Sequence, residues 1–177
     1  MESDTGAPPR VVLVTATVIA VALAVAVAVF ALTKTDEPVA SGPLALVPVP
    51  APQAGAPACT NLIGALPAEL TSAGKTLTRR ALADPAPAGA VAWGEGDPVV
   101  LRCGLDRPPE LTRDAQLRLI NGNVQWLQVT GEGAATWYVV DREVYLGLTV
   151  PASAGTGPLQ AVSDTVAAKL PPRPLRF

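Results

Sequence analysis

Cys59 and Cys103 are the only thiols in a chain of 177 residues that contains no histidine. Their spacing suits neither a CxxC redox motif nor a metal knuckle, and two thiolates are too few for a zinc or iron–sulfur site. A structural disulfide fits the pair best, and on a loop-entropy argument it would contribute on the order of 4 kcal/mol. Two buried free thiols in a cytosolic domain are the alternative. The lack of histidine removes the commonest general base, the commonest metal ligand and the usual pH switch together. No catalytic residue, cofactor or metal is therefore expected.

Other side chains offer binding chemistry, each with an ordinary alternative. Arg102 alternates onto the strand face opposite the apolar residues, where a guanidinium can clamp a carboxylate or phosphate. An ion pair with Asp106, Asp141 or Glu143 is the plainer reading. Trp93, Trp126 and Trp137 can line a groove for a sugar or peptide, although aromatics this scarce, at 4% of the chain, usually serve the core. Glu95 and Asp97 straddle Gly96 as a carboxylate pair or as calcium ligands, against the plainer reading of a solvated turn. Ser153 lacks a nucleophile elbow and a histidine partner, and the glycines near Gly131 and Gly155 lack the phosphate-loop lysine.

The elements that must position these residues begin with a membrane segment. Val11 to Leu32 carries no charge, proline or glycine, and Thr15 and Thr17 are its only polar members. As a helix it would run roughly 33 Å, enough for a hydrocarbon core of about 30 Å. A cleaved signal peptide, with Ala26-Val27-Ala28 as a loose cleavage motif, is the competing reading. Arg10 on one flank, and Lys34 with Asp36 and Glu37 on the other, lean toward a cytoplasmic N-terminus. A disulfide supports the same orientation, because disulfides persist in oxidising compartments. Mean hydropathy of +0.34 agrees with a chain that is part membrane segment.

Four segments follow: a cytoplasmic N-terminus (1–10), a transmembrane helix (11–32), a Pro/Ala-rich linker (33–58) and an extracytoplasmic domain (59–177). The linker has six prolines and no periodicity, so it reads as an extended spacer reaching roughly 80 Å. In the domain, Leu62, Ile63, Leu66 and Leu70 follow helical spacing, with Thr60 or Asn61 as cap and Pro67 limiting the helix. Pro98 to Gly104 alternates so that Val99, Leu101 and Cys103 share a face. Arg118 to Leu127 reads as a hairpin turning at Asn121-Gly122, and Trp137 to Val150 as a second turning at Asp141-Arg142-Glu143. Leu159, Val162, Val166 and Leu170 trace one face of a helix that stops before Pro171. The expected architecture is α+β: a small antiparallel sheet with two hairpins, flanked by an N-terminal and a C-terminal helix.

Several of these residues together carry a resemblance. Cys59-Thr-Asn-Leu-Ile-Gly-Ala-Leu-Pro67, Ala92-Trp93-Gly94, Pro98-Val-Val-Leu-Arg-Cys-Gly104, Asn121-Gly-Asn-Val-Gln-Trp126, Val144-Tyr145 and Val150-Pro151 resemble the actinobacterial family catalogued as domain of unknown function 3515. The likeness spans Cys59 to Leu170, behind a membrane segment as is usual there. It implies a membrane or exported protein of the cell envelope and implies no reaction.

The domain from Cys59 onward balances eleven basic against eleven acidic residues, so it lacks the footprint of a nucleic-acid binder. The expected partners are the lipid bilayer, through residues 11–32, and an envelope protein or cell-wall component. The expected function is non-enzymatic binding at the cell membrane. The alternatives are a small-ligand module built on Arg102 and exposed tryptophans, and a histidine-free carboxylate hydrolase of wall polymers.

Overall fold

The computed structural model describes residues 10–33, 42–121 and 123–177. The chain divides into two units, Met1–Val39 and Ala40–Phe177. The first contains helix α1, Arg10–Thr33, of 24 residues. It coincides with the expected apolar segment, and every side chain described in it is exposed.

The second unit is α+β. In chain order it contains α2 (Pro57–Ala65), β1 (Glu69–Ser72), β2 (Lys75–Arg80), β3 (Ala90–Trp93), β4 (Val99–Leu105), β5 (Leu117–Ile120), β6 (Val124–Thr130), β7 (Ala134–Val139), β8 (Tyr145–Pro151) and α3 (Gly157–Lys169). The eight strands form one sheet in the order β1-β2-β3-β4-β8-β7-β6-β5, and each neighbouring pair is antiparallel. Two meanders of four strands thus meet where β4 pairs with β8.

Helix α3 curls this sheet. It lies against β1 at one edge and against β5 and β6 at the other, with α2 packed beside it. Polar ties fix both margins. Ser72 Oγ accepts from the Gly155 amide at 3.1 Å, and Asn121 Nδ2 donates to Gln160 O at 3.0 Å and to Asp164 Oδ1 at 2.7 Å. The inner face buries Leu62, Trp93, Leu101, Trp126, Leu146 and Leu148 against Leu159, Val162 and Val166 of α3. A smaller core on the outer face gathers Leu105, Leu111, Leu127, Val140 and Tyr145. Strand alternation explains the division, since Trp126 and Leu127, or Tyr145 and Leu146, must point to opposite faces.

Several expectations hold. Val144, Leu146, Leu148 and Val150 share the inner face, as do Val99, Leu101 and Cys103, and α3 buries the four residues expected of it. Both hairpins form, with Ile120 opposite Val124 and Val139 opposite Leu146. Asn121 has the positive φ of a turn residue, at 50°, while Gly122 lies outside the described residues.

Other expectations need correction. The first helix starts at Pro57 and takes Ala56 as N-cap without a side-chain bond, so Thr60 and Asn61 lie inside it. Proline at the first helical position has no N–H to leave unsatisfied, which makes it the better start. Leu70 belongs to β1, because Pro67 ends the helix and the chain then turns into a hairpin through Ala73 and Gly74, at φ 47° and 77°. The sheet has eight strands where five were expected. The additional β1, β2 and β3 are rich in Thr, charge and Ala, and have no apolar alternation to betray them.

The linker also differs. Residues 34–41 lie outside the described residues, but 42–56 are docked and do not stand free. Leu44 donates to Ala81 O and accepts from Ala83 N, and the Gln53 amide donates to Gly104 O at 3.0 Å. Gly104 makes this docking feasible. Its φ is +83°, and a Cβ there would overlap the Gln53 carbonyl carbon and the Ala54 nitrogen. Gly104→Ala is therefore expected to cost about 2 to 3 kcal/mol and to loosen residues 42–56. The control is Gly96→Ala, also at positive φ but with nothing within 4 Å, which should cost about 1 kcal/mol. Urea titration of both variants checks the difference; equal losses would mean that the docked segment contributes nothing.

Candidate functional site

Cys59 sits in α2 and Cys103 in β4, both fully buried, and they form the disulfide across a separation of 44 residues. Helix position and strand alternation turn both side chains toward the inner core, where the bond staples α2 to the centre of the sheet.

The tryptophans resolve differently from a groove. Trp93 and Trp126 are both 0% exposed. Trp93 Nε1 donates to Pro67 O and Trp126 Nε1 to Ser163 Oγ, each at 2.9 Å. The ligand role considered for them is thereby corrected. Each lies on the strand face turned to α3, and its one donor is satisfied internally. Trp137 is half-buried and, with Leu159 of α3, borders a shallow groove of about 340 Å³.

Arg102 does reach the outer face, half-buried, but not in the ion pair considered for it. Among the described residues it pairs with no carboxylate, and Asp141 is taken by Arg142. Its Nη2 donates to the Val47 carbonyl at 3.3 Å, and its Nε is buried without a partner. Burial pulls this guanidinium below its ordinary value, with Tyr138 acting in the opposite sense. The same neighbourhood holds the Tyr138 phenol above its usual range, first through burial and then through Glu110, while Arg102 opposes.

Glu95 and Asp97 are exposed in the turn between β3 and β4. They border a groove of about 310 Å³ together with Lys75 and Ser153. Glu95 also borders a groove of about 560 Å³, with Arg79 and Arg80 of β2. That groove opens where β2 leaves β3 after only two paired positions.

The most heavily buried charges were read from sequence only as turn residues or as partners for Arg102. Asp141 and Arg142, in the loop closing the β7–β8 hairpin, are 3% and 1% exposed. Arg142 Nη1 meets Asp141 Oδ2 at 2.8 Å, and Nη2 donates to Asn123 O at 2.9 Å. The Gln125 amide donates to Asp141 Oδ2, and the Arg173 amide to Asp141 O. Arg176 then donates to the carbonyls of Arg142 and Glu143, while Tyr145 donates to Arg176 O beneath its guanidinium. Asp141 Oδ1 and Arg142 Nε remain buried without partners. Burial raises the Asp141 carboxyl above its ordinary value, with Arg142 and the Gln125 amide partly offsetting the shift. A Val-Val-Asp-Arg-Glu run carries no local signal of such burial, because its cover comes from distant residues 123, 173 and 176.

Fold and site together define a disulfide-stapled α+β domain: one antiparallel sheet curled round a helix, closed by a buried aspartate–arginine pair, with an unpaired arginine on the outer face. The chain belongs to the family described as protein of unknown function (DUF3515), whose profile matches residues 17–175. That match begins within α1 and extends past the Cys59 to Leu170 stretch that carries the resemblance. Neither the curated proteins nor the solved structures contain a match.

Proposed function

We propose that this protein is a single-pass membrane protein of the cell envelope. Residues 11–32 cross the bilayer, the N-terminus is cytoplasmic, and the disulfide-bonded domain is held outside as a non-enzymatic binding module for an envelope protein or wall component.

The observation that carries this reading is α1. Among the described residues no helix is long and apolar enough to cross a membrane. The backbone helix α1 covers 24 residues, Arg10–Thr33. Residues 11–32 of it carry no charge, with Thr15 and Thr17 their only polar members, and at about 1.5 Å per residue they match a bilayer core. A helix that is apolar all round must be buried in protein or in lipid. The disulfide supports the orientation, since such bonds persist in oxidising compartments.

Both native cysteines are buried, so the topology test uses new thiols. Glu132→Cys, in an exposed turn, should react with a membrane-impermeant maleimide on intact cells. Ser3→Cys should react only after permeabilisation, with the full-length chain in the carbonate-washed membrane pellet. The opposite labelling pattern, or a chain found in the soluble fraction, would overturn the proposal.

A further inference from the structure

Arg102, Gly147 and Tyr138 lie side by side on three adjacent strands, since Gly147 pairs with Arg102 on β4 and with Tyr138 on β7. The flanking strand positions crowd Arg102 little, with Ala90 on one side and Gly147 on the other. A Cβ at Gly147 would stand 2.8 Å from Leu105 Cδ1 and 3.5 Å from Tyr138 Cε1, so the leucine and the phenol ring both lean over the glycine. Arginine and tyrosine therefore flank a glycine whose open space Leu105 partly fills.

The hydrogen bonding of Arg102 is incomplete. Its Nε has no partner, its one hydrogen bond is a 3.3 Å contact to the Val47 carbonyl, and no described carboxylate pairs with it. A half-desolvated cation without a counter-charge is unfavourable unless something else supplies the charge. The Val47 carbonyl is an exchangeable stand-in, because its contact with Arg102 is long, at 3.3 Å, and the residue is 76% exposed and outside the strands.

We propose that Arg102 and the Tyr138 hydroxyl form a binding site for an anionic group, a carboxylate or a phosphate, on the outer face of the sheet. The guanidinium supplies the fork that such groups accept from, and the phenol donates a further bond. An anion entering from solvent replaces the Val47 carbonyl. The inference deepens the binding-module reading and rests on it. It fails separately, because the topology experiment does not touch Arg102.

The test follows the Arg102 Nε–H resonance of the full-length chain in detergent micelles. Inorganic phosphate and N-acetylalanine are titrated separately, with chloride replaced at constant ionic strength. A saturable shift with either probe is expected, and which probe saturates assigns phosphate or carboxylate chemistry. Affinity should fall about tenfold or more in Arg102→Gln, read by thermal stabilisation, and about threefold in Tyr138→Phe, with Arg102→Lys intermediate. A drift no greater than that with chloride, or equal affinity in wild type and Tyr138→Phe, overturns the proposal. Should Arg102→Gln not fold, the wild-type titration and Tyr138→Phe decide it alone.

Discussion

Arg142→Ala is expected to lower the unfolding free energy by about 3 to 5 kcal/mol, against a total of about 5 to 15 kcal/mol for a domain of this kind. The substitution leaves Asp141, 3% exposed, with a carboxylate and no counter-charge. It also removes the bond to Asn123 O that ties the β5–β6 turn to the β7–β8 loop. The pair itself is a weak source of net stability, since two charges had to be desolvated to form it and one atom of each is still unbonded. The double variant Asp141→Asn with Arg142→Met should therefore recover much of the loss.

The pH dependence has a definite sign. Asp141 has a folded-state pKa raised above the unfolded one, so the folded protein binds the proton more tightly. Its contribution is most favourable below the unfolded carboxylate pKa of about 3.9 and is lost as pH rises through the folded value. Arg142→Ala removes the partner that opposes the shift and raises that pKa further. The deficit of the variant relative to wild type should therefore shrink as pH falls toward 4. Urea titrations at several pH values, followed by tryptophan fluorescence, measure it. A deficit independent of pH would show that the cost lies in packing and not in the stranded carboxylate.

How much of this was legible in the sequence depends on where the determining contacts lie. The inner face of β8 and the buried face of α3 are written locally, as Val144-x-Leu-x-Leu-x-Val150 and as Leu159, Val162, Val166 and Leu170. They need only a period to be read. The disulfide was legible as the better of two readings, since redox and metal motifs did not fit the spacing and only buried free thiols competed with it. The edge hairpin β1–β2 was not legible. Its alternation is between Thr, Ser and charged residues, and its edge is tied to the loop leading into α3, more than 80 residues further along the chain. Arg102 was placed on the correct face by alternation alone. Its lack of a carboxylate partner was not foreseeable, because Asp141 is claimed by its own chain neighbour and Asp106 and Glu143 remain exposed. The tryptophans were legible in part. Their types allowed a groove, scarcity favoured the core, and one-sided placement on β3 and β6 puts Trp93 and Trp126 there.

Replacing both Cys59 and Cys103 with alanine should cost about 4 kcal/mol, the loop-entropy value for a separation of 44 residues. The loss should also be uneven. The closed loop contains β1, β2 and β3, and this meander is joined to the rest of the sheet through β3–β4, with only two paired positions linking β2 to β3. The other meander, β5 to β8, lies outside the loop, and β6–β7 and β7–β8 are long, continuous ladders. In the bridgeless variant, amide protection in β1 to β3 should fall first and furthest, while β7 and β8 lose no more than the global stability decrement. Hydrogen exchange of the full chain reads both quantities at once. Uniform loss of protection would mean that the bond acts only on the unfolded chain and that the two meanders fold as one cooperative unit. Selective loss would mean that Cys59–Cys103 holds the first meander, and with it Arg79, Arg80 and Glu95, against a second meander able to stand without it.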